Sequence, residues 1–517
     1  MNSDTLNGLG LGLAVCALAL AYLRWLRVAQ REHYLPGCTS RFARRWWSAG
    51  LLNKVLGGAG AAGAIVSIWY PPAGFAAVVV AGSGPLGLTL RGRTAKLAWT
   101  ARLRRLAGAS ALLAALPIAA LAVAGLHPAF SAAALCAMGA PLLVDLALLV
   151  MKRPEARLLR PYVRRASERL RTVKPRVVAI TGSYGKTTTK GYVAHLLAGS
   201  MSVVASPASF NNTQGLARAI NEYLTTGTKV FVAEMGTYGR GEIAAMCSWV
   251  TPEIGVITAI GPVHLERMRS LERIAEAKAE ILEKARVAVL NVDYPLLAEL
   301  AQKADGRGKI VWRCSANCVE ADVYVVREDG KLHVRTSRLR GEMDVLVAAG
   351  PEVEAGNVAC AVGVALSLGV PSEIVASRLG DLPGAPNRRH ARQSPTGVNI
   401  IDDTYNSNPA GANAGVALLG LKAAEGGQKV VVTPGMVELG PIQATENAKF
   451  AASAGAVATR LVVVGRTNAG SLVKGAGTAG LPTQEARNLA EAVAWVTANL
   501  GPGDAVLYEN DLPDHYP

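Results

Sequence analysis

The fold of the central part of this chain is decided by the stretch Val177-Val178-Ala179-Ile180-Thr181-Gly182-Ser183-Tyr184-Gly185-Lys186-Thr187-Thr188-Thr189. A short β-branched run is followed by a glycine-rich turn and then by a helical pattern through Leu197. Such a strand, turn and helix N-terminus form a cradle for anions, because backbone N–H groups and the helix dipole point at a bound phosphate. The strict Walker A spacing requires glycine at Ile180, so a compact form of that motif stands here. The pattern predicts a nucleotide site with Lys186 on the β- and γ-phosphates and Thr187 on Mg²⁺.

Positive charge is concentrated at the N-terminal end of the chain. The protein has 517 residues and a net charge of +16, and residues 1–174 hold 22 Lys and Arg against 5 Asp and Glu. A basic chain can bind nucleic acid, but here the basic residues flank apolar segments, as they do in the cytoplasmic loops of membrane proteins. The mean hydropathy of +0.25 is also high for a soluble enzyme. We therefore expect contact with membrane lipids and no binding of nucleic acid.

The apolar runs predict about five transmembrane helices, at 6–26, 55–71, 73–90, 107–126 and 129–151. The loops 27–54 and 91–105 are rich in Lys and Arg, whereas the connections near Pro71 and His127 contain neither. By the positive-inside rule, the N-terminus lies outside and the catalytic domains lie in the cytoplasm. No small-residue cleavage site follows the first run, so we expect a membrane anchor rather than a cleaved signal peptide.

Three further features receive an interpretation from the residues alone. Asp145 lies inside the last apolar run, where it either has a function or faces a neighbouring helix or an arginine. The basic segment 153–174 is typical of a juxtamembrane helix on anionic headgroups, or of a solvated charged helix. Cys314 and Cys318 have no second cysteine pair nearby, so we expect no structural zinc site there.

The glycine-rich stretch and seven later stretches resemble, in order, the motifs of the Mur ligase family, which joins amino acids or peptides to a carboxylate through an acyl phosphate. The resemblance covers about residues 175–500 and implies an ATP-dependent amide ligase that uses ATP and Mg²⁺, a carboxylate acceptor and an amine or amino-acid donor. The later stretches are Ser209–Gly215 (N-N-x-x-G), Glu234–Gly236 (E-M-G), Gly261–Leu265 (G-P-x-H-L), Ala277–Leu282 (A-K-x-E-I), Asn291–Asp293 (N-x-D), Gly356–Val358 (H-N-V, with Gly356 in place of His) and Ile401–Pro409, which resembles the D-D-x-Y-N-A-N-P of the member that adds D-alanyl-D-alanine.

The catalytic and metal-binding residues follow partly from position and partly from this resemblance. Glu234 follows an apolar strand, and a carboxylate at the carboxyl end of a strand usually belongs to a site. Together with Thr187 it fits one Mg²⁺, which prefers oxygen ligands. The resemblance implies that His264 and Lys278 help to hold a second ion, with Lys278 carbamylated, and that Lys186 completes the catalytic set. The plain alternatives are a buried imidazole for His264 and a surface lysine for Lys278.

The resemblance also implies contacts to nucleotide and substrate, although each asparagine among them could be only a turn residue. The ATP-binding residues are Gly182, Ser183, Tyr184, Gly185, Lys186, Thr187 and Thr188, with Asn291 and Asn357 near the adenine and Arg388, in the hinge Gly384–Arg389, near phosphate or ribose. The substrate residues are Asn211, Asn212, Asp403, Tyr405, Asn406 and Asn408.

The predicted fold class is multi-domain: an α-helical transmembrane region, an α/β P-loop central domain and a Rossmann-like α/β C-terminal domain. We place the transmembrane region at 1–152, the basic linker at 153–174, the central domain at 175–384 and the C-terminal domain at 385–517. In the C-terminal domain we expect strands at 429–433 and 461–464 and helices at 446–455 and 485–500. Gly435–Gly440 resembles the family's G-D-M-x-E-L-G, which borders the amine's site or packs two domains together.

Two departures from the family fall on substrate recognition. A membrane region stands in place of the family's domain that binds a UDP-sugar. At the C-terminal end, Tyr508–Pro513 stands in place of the family's K-G-S-R. This segment is either an acidic loop that binds a cationic amine or a solvated tail. Our main interpretation is a ligase whose acceptor is linked to the membrane. The alternatives are a D-alanyl-D-alanine-adding ligase that acts on a soluble UDP-sugar peptide, and a membrane transporter or assembly factor that uses the P-loop domain as a switch.

Overall fold

The computed structural model describes residues 3–90, 92, 97–337, 342–384, 390–404, 407–512 and 515–517. The chain divides into two compact units. The first is helical and comprises Met1–Leu158 with Leu512–Pro517, and the second is α/β and comprises Leu159–Asp511.

The first unit is built from helices, most of which are apolar. They are α1 (Ser3–Arg31), α2 (Cys38–Ser48), α3 (Leu51–Val66), α4 (Gly74–Ser83), α5 (Ala101–Ala122), α6 (Leu126–Met138) and α7 (Ala140–Val173), of which α7 continues into the second unit. Among the described residues, α1 and α5 are long and apolar enough to cross a membrane, and the number rises to four if the bent pairs α2–α3 and α6–α7 are each one span. The predicted five spans exceed this number, because α3 and α4 have only 16 and 10 residues, fewer than the roughly 20 that a span requires.

Asp145 faces a neighbouring helix, which was one of the two interpretations left open. Its carboxylate, on α7, accepts hydrogen bonds from the backbone N–H groups of Gly37, Thr39 and Ser40 at 3.0, 3.2 and 2.8 Å. These are among the N–H groups at a helix start that have no partner within the helix. Asp145 therefore caps the start of α2, where a negative charge also complements the helix dipole.

The last residues of the chain pack into this helical unit. The indole N–H of Trp46 donates to the carbonyl oxygen of His515 at 2.8 Å, and His515 Nε2 lies 3.0 Å from Glu32 Oε1. The ring of Phe42 contacts those of His515 and Tyr516, with centroids 4.7 and 4.9 Å apart. His515 is only 1% exposed. Within Tyr508–Pro513, where a solvated tail was one of two expectations, Glu509 and Asn510 are 1% and 8% exposed, so a solvated tail is wrong for these two residues.

The second unit begins with a nine-stranded sheet of order β2-β3-β1-β4-β5-β6-β7-β8-β9, parallel from β2 to β7 and antiparallel from β7 to β9. Helices cover both faces, which is why the central strands are apolar throughout. The elements are β1 (Arg176–Thr181), α8 (Lys186–Ala198), β2 (Val203–Ala205), α9 (Thr213–Tyr223), β3 (Val230–Glu234), α10 (Glu242–Val250), β4 (Ile254–Ile257), α11 (Leu265–Met268), α12 (Leu271–Ala279), β5 (Val287–Asn291), α13 (Pro295–Asp305), β6 (Ile310–Ser315), β7 (Val323–Glu328), β8 (Lys331–Thr336), β9 (Met343–Ala348), α14 (Ala355–Ser367) and α15 (Ser372–Arg378).

A six-stranded sheet of order β10-β11-β15-β12-β13-β14 follows, parallel except for β10. Its elements are β10 (His390–Gln393), β11 (Asn399–Asp403), α16 (Pro409–Lys422), β12 (Lys429–Thr433), α17 (Gln443–Ala454), β13 (Arg460–Val464), α18 (Ala469–Thr478), β14 (Thr483–Ala486), α19 (Leu489–Asn499) and β15 (Ala505–Glu509). The predicted strands at 429–433 and 461–464 agree with β12 and β13. The predicted helix 485–500 begins too early, because residues 485 and 486 belong to β14.

Candidate active site

The glycine-rich turn between β1 and α8 has the geometry of a phosphate cradle. Gly185 has φ +76°, which favours glycine. A Cβ at this position would clash with the side-chain amide of Asn357. α8 begins at Lys186, so the N–H groups of its first turn, which includes Thr187 and Thr188, have no partners within the helix. These features fit a bound polyphosphate.

Hydrogen bonds fix this turn to the end of β4. Ser183 N donates to Ala259 O at 2.8 Å, and Gly261 N donates to Ser183 Oγ at 2.9 Å. Thr258 Oγ1 donates to Tyr184 O. Lys186 folds back on the turn, and its Nζ donates to Gly182 O at 2.8 Å. The predicted ATP-binding residues of this turn therefore lie together in a preformed loop.

Glu234 ends β3 and is 1% exposed. Its carboxylate accepts from Lys190 Nζ at 3.0 Å and from Asn211 Nδ2 at 3.1 Å. Lys190 was not singled out from the sequence, although its position one helical turn after Lys186 places both lysines on the same face of α8. The structure thus brings two predicted residues, Glu234 and Asn211, into direct contact, and it adds Lys190, which the motifs did not identify.

Lys278 lies near the end of α12 and is 4% exposed, so it is not a surface lysine. Burial lowers the pKa of its amine well below the usual range, and the charge of Lys186 lowers it further. This shift favours the neutral form of the amine. A neutral amine can react with CO₂, which is the chemistry that carbamylation requires.

His264 contacts the loop Gly435–Gly440 rather than lying isolated in the core. Its Nδ1 pairs with a carboxylate oxygen of Glu438, and Arg267 Nη2 lies 3.1 Å from the other oxygen. The Tyr238 ring contacts the His264 ring in an edge-on arrangement, with centroids 4.7 Å apart. The loop that bears Glu438 therefore packs against the segment that bears His264, which favours a domain-packing role for this loop.

The predicted asparagines divide between the nucleotide side and local turns. Asn357 Oδ1 accepts from Thr189 Oγ1 at 3.2 Å and so lies beside the phosphate cradle. Asn291 Oδ1 accepts from the N–H of Asp293 at 3.1 Å. Asn212 Oδ1 accepts from Gly215 N at 2.9 Å and caps α9, so its observed contact is that of a helix cap.

A second buried carboxylate lies at the carboxyl edge of the six-stranded sheet. Glu509 ends β15, is 1% exposed, and accepts hydrogen bonds from Ser407 and Thr433. The pKa of Glu509 is raised to about 7, chiefly by burial; the two hydroxyl donors oppose this shift, and the charge of Asp403 adds to it. Asn408 Oδ1 accepts from Gly411 N at 2.9 Å and caps α16. Ligands of open α/β sheets bind at this edge, and no local sequence pattern indicates that Glu509 is buried there.

Some predicted residues cannot be placed. Arg388, Tyr405 and Asn406 lie outside the described residues.

Within the described part of the chain, no group of three or more His, Cys, Asp or Glu side chains is arranged to hold a metal ion. The oxygen donors at Thr187 and Glu234 have the chemistry that Mg²⁺ prefers when most of its other ligands are phosphate and water.

Two family models match the part of the chain that carries these features. The model of the Mur ligase middle domain matches residues 180–365. The model of the Mur ligase glutamate ligase domain matches residues 387–508. The chain belongs to the Mur ligase family.

Relatives of this Mur ligase include the UDP-N-acetylmuramoyl-tripeptide–D-alanyl-D-alanine ligases of Mycobacterium leprae and Escherichia coli. The first is 33% identical over 366 residues, which cover 64% of this chain and 70% of the relative. The second is 30% identical over 276 residues, which cover 52% of this chain and 59% of the relative. The crystal structure of MurF from Acinetobacter baumannii is similar with a TM-score of 0.59 and 25% identity, over 68% of this chain and 77% of that one.

This Mur ligase is therefore an ATP-dependent enzyme that forms carbon–nitrogen bonds in peptidoglycan precursor synthesis, and it uses ATP and Mg²⁺, as predicted. MurF from Thermotoga maritima, solved with ADP, shares the fold at a TM-score of 0.57 and 24% identity, over 68% of this chain and 80% of that one. Family membership does not support the transporter or assembly-factor alternative. The relatives match the soluble-substrate alternative better than the membrane-linked acceptor of our main interpretation.

Proposed function

We propose that this enzyme joins D-alanyl-D-alanine, or an amine of the same class, to the terminal carboxylate of a UDP-muramoyl tripeptide. The observation that carries this proposal is the similarity to UDP-N-acetylmuramoyl-tripeptide–D-alanyl-D-alanine ligases, together with family models that match both the central and the C-terminal region. The sequence Asp402-Asp403-Thr404-Tyr405-Asn406-Ser407-Asn408-Pro409 supports the same amine. Its described residues lie at the end of β11 and at the start of α16, and Ser407 among them contacts Glu509.

Acyl phosphate formation requires positioning and neutralisation of the transferred phosphoryl group more than covalent help from the protein. The amides of the Gly182–Lys186 turn hold the phosphates, and Lys186 leaves Gly182 O to neutralise the β- and γ-phosphate charge. Thr187 and Glu234 would hold Mg²⁺, which supplies charge stabilisation at the γ-phosphate. Asn211, held by the Glu234 carboxylate, orients the carboxylate substrate in the same cleft.

Lys278 is proposed to act as a carbamate that, with His264, holds a second divalent ion. Its neutral amine adds to CO₂ and loses a proton, which forms the N–C bond and leaves an anionic oxygen donor in a buried position. The lowered pKa of Lys278 supports this reaction, because an ammonium has no free electron pair. For His264 to bind the ion through Nε2, its Nδ1 would keep a partner such as Glu438, as metal-bound histidines generally do.

The helical unit is proposed to lie in a membrane. Most exposed large hydrophobic side chains of the described chain belong to this unit, among them Leu51, Trp69 and Val123, which are 78%, 75% and 91% exposed. An apolar surface of this kind is typical of contact with lipid or with a partner. The length and composition of α1 and α5 support the lipid alternative.

The orientation is proposed from the charged ends of these helices. Arg24 of α1 donates to the carbonyl oxygens of Ala81 and Gly82 at the end of α4, at 3.1 and 2.6 Å. The hairpin formed by α3 and α4 therefore returns to the basic end of α1 without a full crossing. Three crossings, by α1, by α5 and by α6 with the start of α7, then place every basic loop in the cytoplasm and the N-terminus outside.

A membrane-linked carboxylate remains a second candidate substrate. The observation that favours it is the helical unit. This unit precedes the first region that a family model matches, which begins at residue 180. An enzyme embedded in the bilayer has direct access to lipid-borne peptide intermediates.

The test is a product assay with full-length enzyme in lipid nanodiscs, Mg-ATP and D-alanyl-D-alanine. Either UDP-muramoyl tripeptide or a lipid-linked muramoyl tripeptide is added, and the new amide is detected by mass spectrometry. The proposal predicts that the wild-type enzyme forms the amide from the UDP-linked peptide and that the Lys186→Ala variant does not. Product from the lipid-linked peptide alone establishes the second candidate, and no amide from either peptide contradicts both.

A further inference from the structure

Lys190 is a buried lysine to which the sequence motifs give no role. It lies on α8 and is 6% exposed. Its Nζ donates to Ala208 O at 2.6 Å and to Glu234 Oε2 at 3.0 Å. Because a buried charge is costly unless it is paired and hydrogen-bonded, the pairing with Glu234 is what keeps this ammonium in place.

The Glu234 carboxylate is already engaged at both oxygen atoms. Lys190 contacts Oε2, and Asn211 contacts Oε1 at 3.1 Å. A divalent cation that binds this carboxylate must share its lone pairs with these donors or displace one of them. It also meets the positive charge of Lys190 at short range, in surroundings where charges are weakly screened.

We propose that Lys190 is a positioning residue that fixes the Glu234 carboxylate and weakens its binding of divalent cations in the nucleotide-free enzyme. The negative charge of a bound triphosphate offsets the ammonium, so metal binding at Glu234 becomes favourable when ATP is present. Lys190 thereby couples metal binding to nucleotide binding. This inference rests on the proposed role of Glu234 in holding Mg²⁺.

The same ammonium also holds the segment that carries Asn211. Ala208 has φ +40°, an unfavourable backbone conformation for a residue other than glycine, and its carbonyl accepts from Lys190. Glu234 N donates to Ser206 Oγ at 3.1 Å, which ties the segment to β3 a second time. Loss of Lys190 therefore affects the orientation of Asn211 and so turnover, as well as the charge at Glu234.

The experiment measures Mn²⁺ binding to full-length protein in detergent, without nucleotide, by electron paramagnetic resonance. Lys190→Met leaves the buried carboxylate uncompensated, and we expect it to lower the Kd for Mn²⁺ about tenfold or more while kcat falls. The double variant Lys190→Met/Glu234→Gln lacks the proposed ligand, so its Kd is expected to rise again to the wild-type value or above. Lys303→Met, which removes an exposed lysine of α13, should leave both quantities unchanged.

An unchanged or higher Kd in folded Lys190→Met overturns the inference, since a merely structural lysine would not oppose the cation. Lys190→Gln is the second neutral variant, because its amide can still donate a hydrogen bond within the site if Lys190→Met fails to fold. It should lower the Kd in the same direction. Lys190→Arg retains the cation and should keep the wild-type Kd, whereas tighter Mn²⁺ binding in that variant overturns the inference.

Failure of this inference is distinguishable from failure of the proposed metal site. With saturating nucleotide, Glu234→Gln alone should weaken Mn²⁺ binding. If it does not, Glu234 is not a metal ligand, and both the metal assignment and the role of Lys190 fail. If it does, and the neutral Lys190 variants still show no tighter binding, only the role of Lys190 fails.

Discussion

At the scale of single residues, the environment of Lys278 determines its chemistry. The amine is 4% exposed and lies near the charge of Lys186, and both effects lower its pKa. Neither effect is visible in the sequence, where Lys278 is one lysine of an ordinary helical pattern. The order of the family motifs identified this position, and burial explains why a lysine there can be reactive.

For Lys278→Ala we expect a loss of kcat of about 100-fold, because an anionic metal ligand at the reacting phosphate is removed. After addition of ¹³C-bicarbonate, the wild-type protein should show a carbamate resonance by nuclear magnetic resonance that this variant lacks. Lys284→Ala, at a nearby exposed position, should retain both activity and resonance. Full activity of Lys278→Ala would exclude the carbamate as a working part of the site.

The ionisation of Glu509 makes the free energy of unfolding depend on pH. Its pKa is raised from 4.5 to about 7, chiefly by burial, so the folded state binds the proton more tightly than the unfolded state. Stability is therefore highest below the unfolded pKa and falls as the pH rises from about 4.5 to 7. One pKa unit corresponds to about 1.4 kcal/mol, so the loss is at most about 3.5 kcal/mol.

Glu509→Gln removes the ionisation, and we expect its thermal midpoint to fall less than that of the wild type between pH 5 and pH 8. Calorimetry of the full-length protein in detergent measures this difference. Glu485→Gln, at an exposed position of β14, should follow the wild-type curve. The same pH slope in Glu509→Gln and the wild type would mean that Glu509 is not buried as a titrating carboxyl.

At the scale of elements, local sequence was sufficient for the phosphate cradle and insufficient for the contacts around it. The alternation of β-branched run, glycines and helical pattern is complete within residues 177–197, and β1 and α8 agree with it. The contacts of Lys190 with Glu234 and of Ser407 with Glu509 join residues 44 and 102 positions apart. Such pairs follow from strand order, which local patterns do not determine.

Gly185→Ala is expected to lower ATP affinity about tenfold or more, because a Cβ at φ +76° is strained and clashes with Asn357. Gly191→Ala is the matched control within α8. A Cβ there meets no atom within 4 Å, so we expect unchanged affinity and a gain in stability of about 0.5–1 kcal/mol. Isothermal titration with an ATP analogue separates the two variants, and equal affinities would contradict the proposed cradle.

The ends of the helices in the first unit could not be predicted from local sequence patterns either. α2 and α3 meet at a bend of 119° and α6 and α7 at 78°. Hydropathy does not register bends of this kind, so the five predicted spans do not correspond one to one with the helices of this unit. The first bend falls at Gly50, whose φ of +89° favours glycine.

At the scale of the whole molecule, the chain combines a helical unit with a ligase unit, and its last residues belong to the first of these. His515 and Tyr516 pack against Phe42 and Trp46 of α2. The departure of the C-terminus from the family pattern predicted a change at this end of the chain. It did not predict a docked tail, because the partners lie more than 460 residues away.

Truncation after residue 511 is expected to speed amide hydrogen exchange in α2 about five- to tenfold, since a buried hydrogen bond contributes about 1 kcal/mol and ring contacts contribute more. Exchange mass spectrometry of the full-length and truncated proteins measures this effect. Helix α9 in the second unit is the internal control and should exchange at the same rate in both. Unchanged exchange in α2 would show that the tail does not stabilise this helix.

The central claim is amide ligation through an acyl phosphate, and isotope transfer tests it most directly. The UDP-muramoyl tripeptide is labelled with ¹⁸O in its terminal carboxylate and incubated with full-length enzyme, Mg-ATP and D-alanyl-D-alanine. We predict that one ¹⁸O atom appears in inorganic phosphate for each amide formed, with ADP as the other product. Label in AMP, or phosphate release without label and without amide, would contradict the account.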